Sequence, residues 1–419
     1  MERPIPTMNQ KFYILFCMVI ISFPSFAGIL RVGKQQHYHS IVEAISAAAN
    51  GDSVLVERGT YREKNILITK SISLLGDKFP VLDGEYKYEI ISVMADGVVV
   101  KGFTLLHSGV SSIEDFAAIK IYGRHNVTIS SNNLQDNFFG IYSQAGVNCL
   151  IEYNKISAHS KTEQQSGNGI HCWKSDSMRI IGNTVTGHRD GIYFEFVTNS
   201  VIWRNNSYSN MRYGLHFMFS HNDAYICNVF RGNGAGVSVM FTHGVKMFNN
   251  IFEENWGDAA YGLFLKEIAD SYIIGNKFIR NTSGVYMEGT SRIRMEKNEL
   301  ISNGWGMKIQ ASCMDNIITH NNFLSNTFDV GTNGSLMLNN FDYNYWDKYE
   351  GYDLNKDNTG DIPYRPVSLF SMIVEKNPPA MMLFRSFMTS LLDKSEKIIP
   401  TLIPENLVDN FPLMKQLHL

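Results

Sequence analysis

Between residues 126 and 333 one short phrase recurs with small changes: asparagine, any residue, an apolar residue, two more residues, then asparagine or histidine. Its leading asparagines are Asn132, Asn154, Asn183, Asn205, Asn228, Asn250, Asn276, Asn298 and Asn321, spaced 22, 29, 22, 23, 22, 26, 22 and 23. A glycine followed by an apolar residue keeps the same time, at Gly140, Gly169, Gly191, Gly214, Gly236, Gly262, Gly284 and Gly306. Both series lengthen at the same two places, which locates insertions at 157–166 and 256–260.

A period of this length means stacked units that bury a continuous core only together. The units lack the Leu-x-x-Leu-x-Leu of a leucine-rich repeat. They alternate Ile, Val, Phe and Tyr with polar residues, as in GIYFEF and GVSVMF, which predicts strands throughout. Short strands broken at Gly, Asn, Ser and Asp, with no proline between Val81 and Ile362, predict an all-β fold: a right-handed parallel β-helix of about 22 residues per coil. Asparagine at one fixed turn tolerates a left-handed φ and can hydrogen-bond its copy one coil away, so the column reads as scaffold.

The chain opens MERPIPTMNQKFYILFCMVIISFPSFA, with a basic start, an apolar run over 12–23 and a small-x-small end. This predicts a secretory signal peptide over 1–27, its run too short for a membrane span. Removing it takes Lys+Arg from 37 to 35 and Asp+Glu from 40 to 39, a net charge of about −4 that argues against nucleic acid as a partner. Cys149, Cys172, Cys227 and Cys313 fall at different phases of the repeat and predict no disulfide framework.

Ser40 and Glu43 form a capping-box pattern ahead of an alanine-rich helix ending at Gly51, suited to covering the open first coil. The β-helix is expected over 28–340, and an aromatic, acidic cap with an apolar helical tail over 341–419. Within the coils, alternation places Tyr142, His171, Tyr193, His216, Ser238, Phe264, Tyr286 and Lys308 outward as one column, mostly a solvated face. Consecutive coils LHFMFSHND and VSVMFTHGV share Met-Phe-Ser/Thr-His, which sets Met218 beside Met240 and His221 beside His243, with His216 and His171 near. Thioether and imidazole are soft donors suited to Cu(I). The other reading is a repeat repeating itself, with Met packed inward.

Beyond the repeat, Asp353, Asn355, Asp357 and Asp361 have the spacing that opens a calcium loop, without its glycine at position six or its distal glutamate; a turn-rich cap is the other reading. VSLFSMIV and AMMLFRSFMTSLL are apolar almost all round, the second with a helix start at Asn377-Pro378. Such helices are either buried on the β-helix or docked on another apolar surface; docking is the expectation, with Phe370, Met381, Met382, Phe384, Phe387 and Leu391 the side chains expected to meet a partner.

The segments HRDGIYFEF, YGLHFMFSHND, AYGLFLKEIADSYIIGN, NYWDKYEGYDLNKDNTGDIPYRPVSLFS and LVDNFPLM together resemble the NosD family, the periplasmic β-helix proteins of nitrous oxide reductase maturation. The resemblance covers nearly the whole mature chain and is most specific in the tail. It implies a non-enzyme whose partners are an ABC ATPase with its membrane subunit, a copper chaperone lipoprotein and the apo reductase. The implied work is moving copper, with sulfur as a further cargo, from a periplasmic position held at the inner membrane by its partner. No Gly-x-x-x-x-Gly-Lys-Ser/Thr loop is present to hydrolyse ATP here. The rival is a polysaccharide lyase or epimerase, with Asp190, Glu195, His188 and Arg189 as an acid/base group; no second carboxylate stacks with Glu195.

Overall fold

The computed structural model describes residues 27–111, 113–257, 260–334, 338–384, 386–389, 391–392 and 407–419. The expected signal peptide lies outside them apart from Ala27. Among the described residues the strands form three parallel sheets of 14, 12 and 13, built by taking every third strand of the chain except that the first sheet opens with two consecutive strands. The first sheet runs from Ile29–Val32 to Leu338–Asn340, the second from Ile66–Ile68 to Phe328–Gly331, and the third from Thr60–Tyr61 to Tyr345–Trp346. This is the parallel β-helix that the period predicts. Register partners sit 22 residues apart at Thr128 and Leu150, 29 at Leu150 and Arg179, 23 at Val201 and Ala224, and 26 at Lys246 and Tyr272. The two long spacings are the insertions, and the flanking strands keep their register across both.

One side of each strand fills the tube. Ile151, Ile180, Ile202, Tyr225, Met247, Ile273 and Met295 stack inside the first sheet, and Phe230, Phe252 and Phe278 inside the third, their ring centroids 5.6 and 4.7 Å apart. Each fully buried Ile, Met or Phe among them contributes about 1.5–3 kcal/mol of hydrophobic stabilisation.

The asparagine column is a hydrogen-bonded ladder. From Asn132 to Asn344 each side-chain amide donates to the Oδ1 of the next copy at 2.8–3.0 Å, and the same Oδ1 accepts the preceding copy's backbone N–H. The phrase's closing asparagine makes a second ladder through Asn210, Asn233, Asn255, Asn281, Asn303 and Asn326. One detail differs from expectation: the left-handed residue is the one before each leading asparagine, as at Ser131, Tyr153, Arg204, Cys227 and Lys297. The asparagine is needed for its side-chain amide, which bridges coils.

Helix α1, Ile41–Ala47, covers the first coil. Ser40 accepts from the Glu43 N–H as the capping pattern predicts, but the Ile41 and Val42 N–H groups donate to Glu63. The helix ends short of Gly51 because the Lys70 ammonium takes the Ile45, Ser46 and Ala48 carbonyls. At the other end Trp346 stacks on Phe323 at 4.1 Å, and the returning C-terminal segment places Asp409 to accept from the Tyr343 and Asn344 N–H groups and the Trp346 indole. Cys149, Cys172 and Cys313 are buried free thiols, and Cys227 is a free thiol at an exposed left-handed turn.

Candidate functional site

The outer face of the second sheet carries the chemistry. Its register places Tyr142, His171, Tyr193, His216, Ser238, Phe264, Tyr286 and Lys308 in one column, as alternation predicts, and extends it back to Lys120. The expected solvated face is not what forms. Tyr142 stacks on His171 at 4.5 Å, His171 meets Tyr193 at 4.8 Å, and Tyr193 meets His216 at 4.7 Å. Tyr142, His171, His216 and Ser238 are buried, because rings one coil apart close over one another and Phe139 closes over the first of them. At the far end helix α2, Leu369–Lys376, lies on the same face, with Phe370 and Val374 packed against Trp305 and Phe328 and a Lys308–Glu375 ion pair at 2.6 Å.

The five residues expected at copper separate into three groups. Met218 and Met240 are register partners, half-buried on adjacent coils, and the Tyr193 hydroxyl donates to Met218 Sδ at 3.5 Å. Past them the chain turns at Phe219 and Phe241, both left-handed and stacked at 5.2 Å. Beyond that turn His221 and His243 stack at 4.2 Å with ring planes 22° apart. Burial first, then the neighbouring His243, lowers the His221 pKa and keeps that imidazole a neutral donor. Imidazole lone pairs lie in the ring planes, here near-parallel, and His221 Nδ1 already accepts from the His243 N–H at 3.4 Å, so holding one ion between the rings requires a ring rotation. His216 belongs elsewhere: it is wedged between Tyr193 and Tyr213 with Nδ1 3.7 Å from Asp190 Oδ2. Among the described residues no group of three or more His, Cys, Asp and Glu could hold a metal ion, so a soft-metal site here depends on the thioethers.

Asp190 centres a cluster that sequence reasoning reached only in part. The rival set separates on inspection. His188 is sealed beneath the insertion, against Ser166 at 3.4 Å, with its pKa pushed down to about 4 by burial. Glu195 has Trp173 and Met218 as its register partners, with no carboxylate on either side. Asp190, 1% exposed, stands instead against Arg212 at 3.3 Å and Arg189 at 3.8 Å. Arg212 and His171 are the residues missed as members. Their signal was present: Arg189 and Arg212 stand at the same phase, two residues before the glycines Gly191 and Gly214.

The acidic loop spends its oxygens on itself. Asp353 accepts from the Lys356, Asp357 and Asn358 N–H groups, Asp357 from Thr359 N–H and Asn355, and Asp361 from Leu354 N–H. In the tail, Phe370 faces inward, because Trp305, Phe328 and Val374 already enclose it; docking on the chain itself wins there. The second apolar stretch begins as a 3₁₀ turn, Pro378–Leu383, and leaves Met381, Met382, Phe384, Phe387 and Leu391 exposed, Met382 by 90% and Phe387 by 83%. No helix among the described residues is long and apolar enough to cross a membrane.

Residues 152–355 match the family model described as periplasmic copper-binding protein (NosD). A Pseudomonas aeruginosa protein named probable ABC transporter binding protein NosD is 26% identical over 393 residues, covering 89% of this chain and 91% of that one. A Stutzerimonas stutzeri protein of the same name is 26% identical over 356 residues, covering 80% of each. Among solved structures, the A-module of the Azotobacter vinelandii mannuronan C-5 epimerase AlgE6 superposes with a TM-score of 0.53 at 13% identity, over 73% of this chain and 94% of that one. The periplasmic alginate epimerase AlgG gives 0.51 at 13% identity, over 70% and 77%. At such identity these last two speak to the fold alone.

Proposed function

Because the chain belongs to the NosD family, we propose that it is a periplasmic maturation factor for nitrous oxide reductase, working with an ABC transporter to pass copper toward the reductase's copper sites. Copper is cargo here. The observation that carries the reading is the Met218–Met240 pair, two thioethers in register on adjacent coils with an aromatic hydroxyl beside one of them. Thioethers favour Cu(I) over harder ions and bind weakly enough in pairs to release it. The neutral His221 and the stacked His243 stand one turn away as further donors once a ring rotates.

The tail supports the transporter half of the reading. Helix α2 fixes its base to the second sheet, while Met382 and Phe387 project from the following segment. Exposed apolar side chains of this size mark an interaction site, and a transporter's membrane subunit is the partner that fits. Movement driven by ATP on the far side would reach a rigid solenoid through that joint. The copper chaperone lipoprotein and the apo reductase would then meet the solenoid at the thioether pair, and sulfur remains a second cargo of the same machinery.

The test is in a cell. Replacing the native chain with Met218→Ala/Met240→Ala in a denitrifying host, then measuring copper in the purified reductase, should give a copper-poor enzyme although the variant is present at normal level. A fully loaded reductase would remove the thioether pair from the account.

A further inference from the structure

The same face holds a second, chemically different site one column away from the thioethers. Arg189 and Arg212 stand on adjacent coils, joined by a backbone bond from Arg212 N–H to the Arg189 carbonyl at 2.8 Å. Like charges at neighbouring ladder positions repel. Asp190 beneath them offsets this, each guanidinium turning its Nε toward one of the carboxylate oxygens. Both arginine side chains remain about a third exposed, at 32% and 34%.

Below lie polar groups whose hydrogen bonding is incomplete. Arg189 donates to Asn168 Oδ1 at 3.2 Å, which turns the Asn168 amide nitrogen toward His171 Nδ1 at 3.3 Å. His171 Nδ1 therefore accepts, and its proton sits on Nε2. That buried Nε2–H meets no acceptor, and Asp190 Oδ2, Arg189 Nε and both ring nitrogens of His216 are likewise buried without a hydrogen bond, Asp190 Oδ2 standing 3.8 Å from Arg189 Nε and 3.7 Å from His216 Nδ1 as ion pairs too long to be one. Burial of such groups without a hydrogen bond costs about 1–3 kcal/mol each, so their clustering beneath two partly exposed arginines calls for a ligand.

The set decides the ligand's chemistry. A metal cation would face two guanidiniums. A bare oxyanion would satisfy the arginines and His171 but give nothing to Asp190 Oδ2. A hydroxyl both accepts and donates, and a carboxylate next to it matches the planar guanidinium fork. We propose that Arg189, Arg212, Asp190, His171 and His216 form a binding site for a hydroxylated carboxylate of the uronic-acid class. The ligand meets the guanidiniums first and its hydroxyls reach the groups beneath as they part. The position agrees: the insertion at 157–166 borders the cluster, pinned by Arg189 N–H to the Gly167 carbonyl at 3.1 Å, and insertions in solenoids gather on a binding face. This site does not depend on the copper reading, although it takes His216 from it.

The test is calorimetric titration of the full periplasmic chain with galacturonate, hexagalacturonate, neutral cellohexaose and sodium sulfate. The expected result is saturable binding of galacturonate or its hexamer, with cellohexaose and sulfate at least about tenfold weaker. A strong preference for the hexamer identifies a polymer as the source, and equal affinity identifies the free acid. Arg212→Gln, at a partly exposed side chain, should weaken binding about tenfold or more while melting and Cu(I) stoichiometry stay unchanged; His171→Gln, checked for cooperative melting, should do the same. No uronate binding at millimolar concentration, equal binding of sulfate or cellohexaose, or unchanged affinity in Arg212→Gln would each overturn the proposal.

Discussion

Asp223 makes the solenoid's stability fall as pH rises. Its side chain is fully buried; Oδ1 accepts from the Ser200 N–H at 2.7 Å, while Oδ2 has no partner. Burial pushes its pKa up to about 8, and the single backbone bond does not compensate. The folded chain thus keeps a proton that the unfolded chain releases near its ordinary value of 3.8. The stabilisation is complete below that value and drains away as pH rises toward 8, at about 1.4 kcal/mol per pH unit. Across two pH units the loss is about 3 kcal/mol, an upper figure because local relaxation lets water in. Asp223→Asn keeps the Oδ1 acceptor, removes the charge and brings an amide like those of the neighbouring ladder. Urea unfolding at pH 5 and pH 7 should show the variant about 2–4 kcal/mol more stable than the native chain at the higher pH and much closer to it at the lower. The readout is the difference between the two proteins, because Asp329 and Asp409, each pushed up to about 6 by burial, contribute a slope common to both. A variant less stable at pH 7, or one with the native pH slope, would refute the assignment.

Asn250→Ala removes a side chain that donates to the Tyr225 carbonyl and Asn276 while accepting from Asn228, and should cost about 2–4 kcal/mol in chemical denaturation; a loss under half a kcal/mol would mean the ladder is decoration. In the tail, Phe370→Ala should lower stability by about 3 kcal/mol, whereas Met382→Glu should leave melting unchanged and abolish co-purification with the transporter's membrane subunit; the reverse pattern would exchange the roles of the two side chains. Because the acidic loop already satisfies its own N–H groups, EGTA should not shift the melting temperature, and a clear drop would restore the calcium reading of Asp353, Asn355, Asp357 and Asp361.

The repeat exposed the fold because a solenoid's long-range contacts repeat its short-range ones. Knowing that Asn228 leads one coil and Asn250 the next is already knowing that they touch. The same logic placed Met218 beside Met240 and His221 beside His243. It failed where contacts come from outside the period. Alternation shows that His216 points away from the core, but not that Tyr213 and Asp190 close around it. Nor does it show Phe370 turning inward, which depends on where a tail some 40 residues past Phe328 lands on Trp305. Arg189 and Arg212 were readable as a phased pair, but their meaning required Asp190 beneath them.

The central claim is that this solenoid itself holds copper in transit. Anaerobic Cu(I) titration against a competing chelator, native chain beside Met218→Ala/Met240→Ala, tests it most directly. The account predicts one Cu(I) bound by the native protein, exchangeable with the chelator, and its loss in the variant. Binding that survives the double substitution, or no binding by the native chain, would contradict it and leave the β-helix a docking scaffold whose metal travels on its partners.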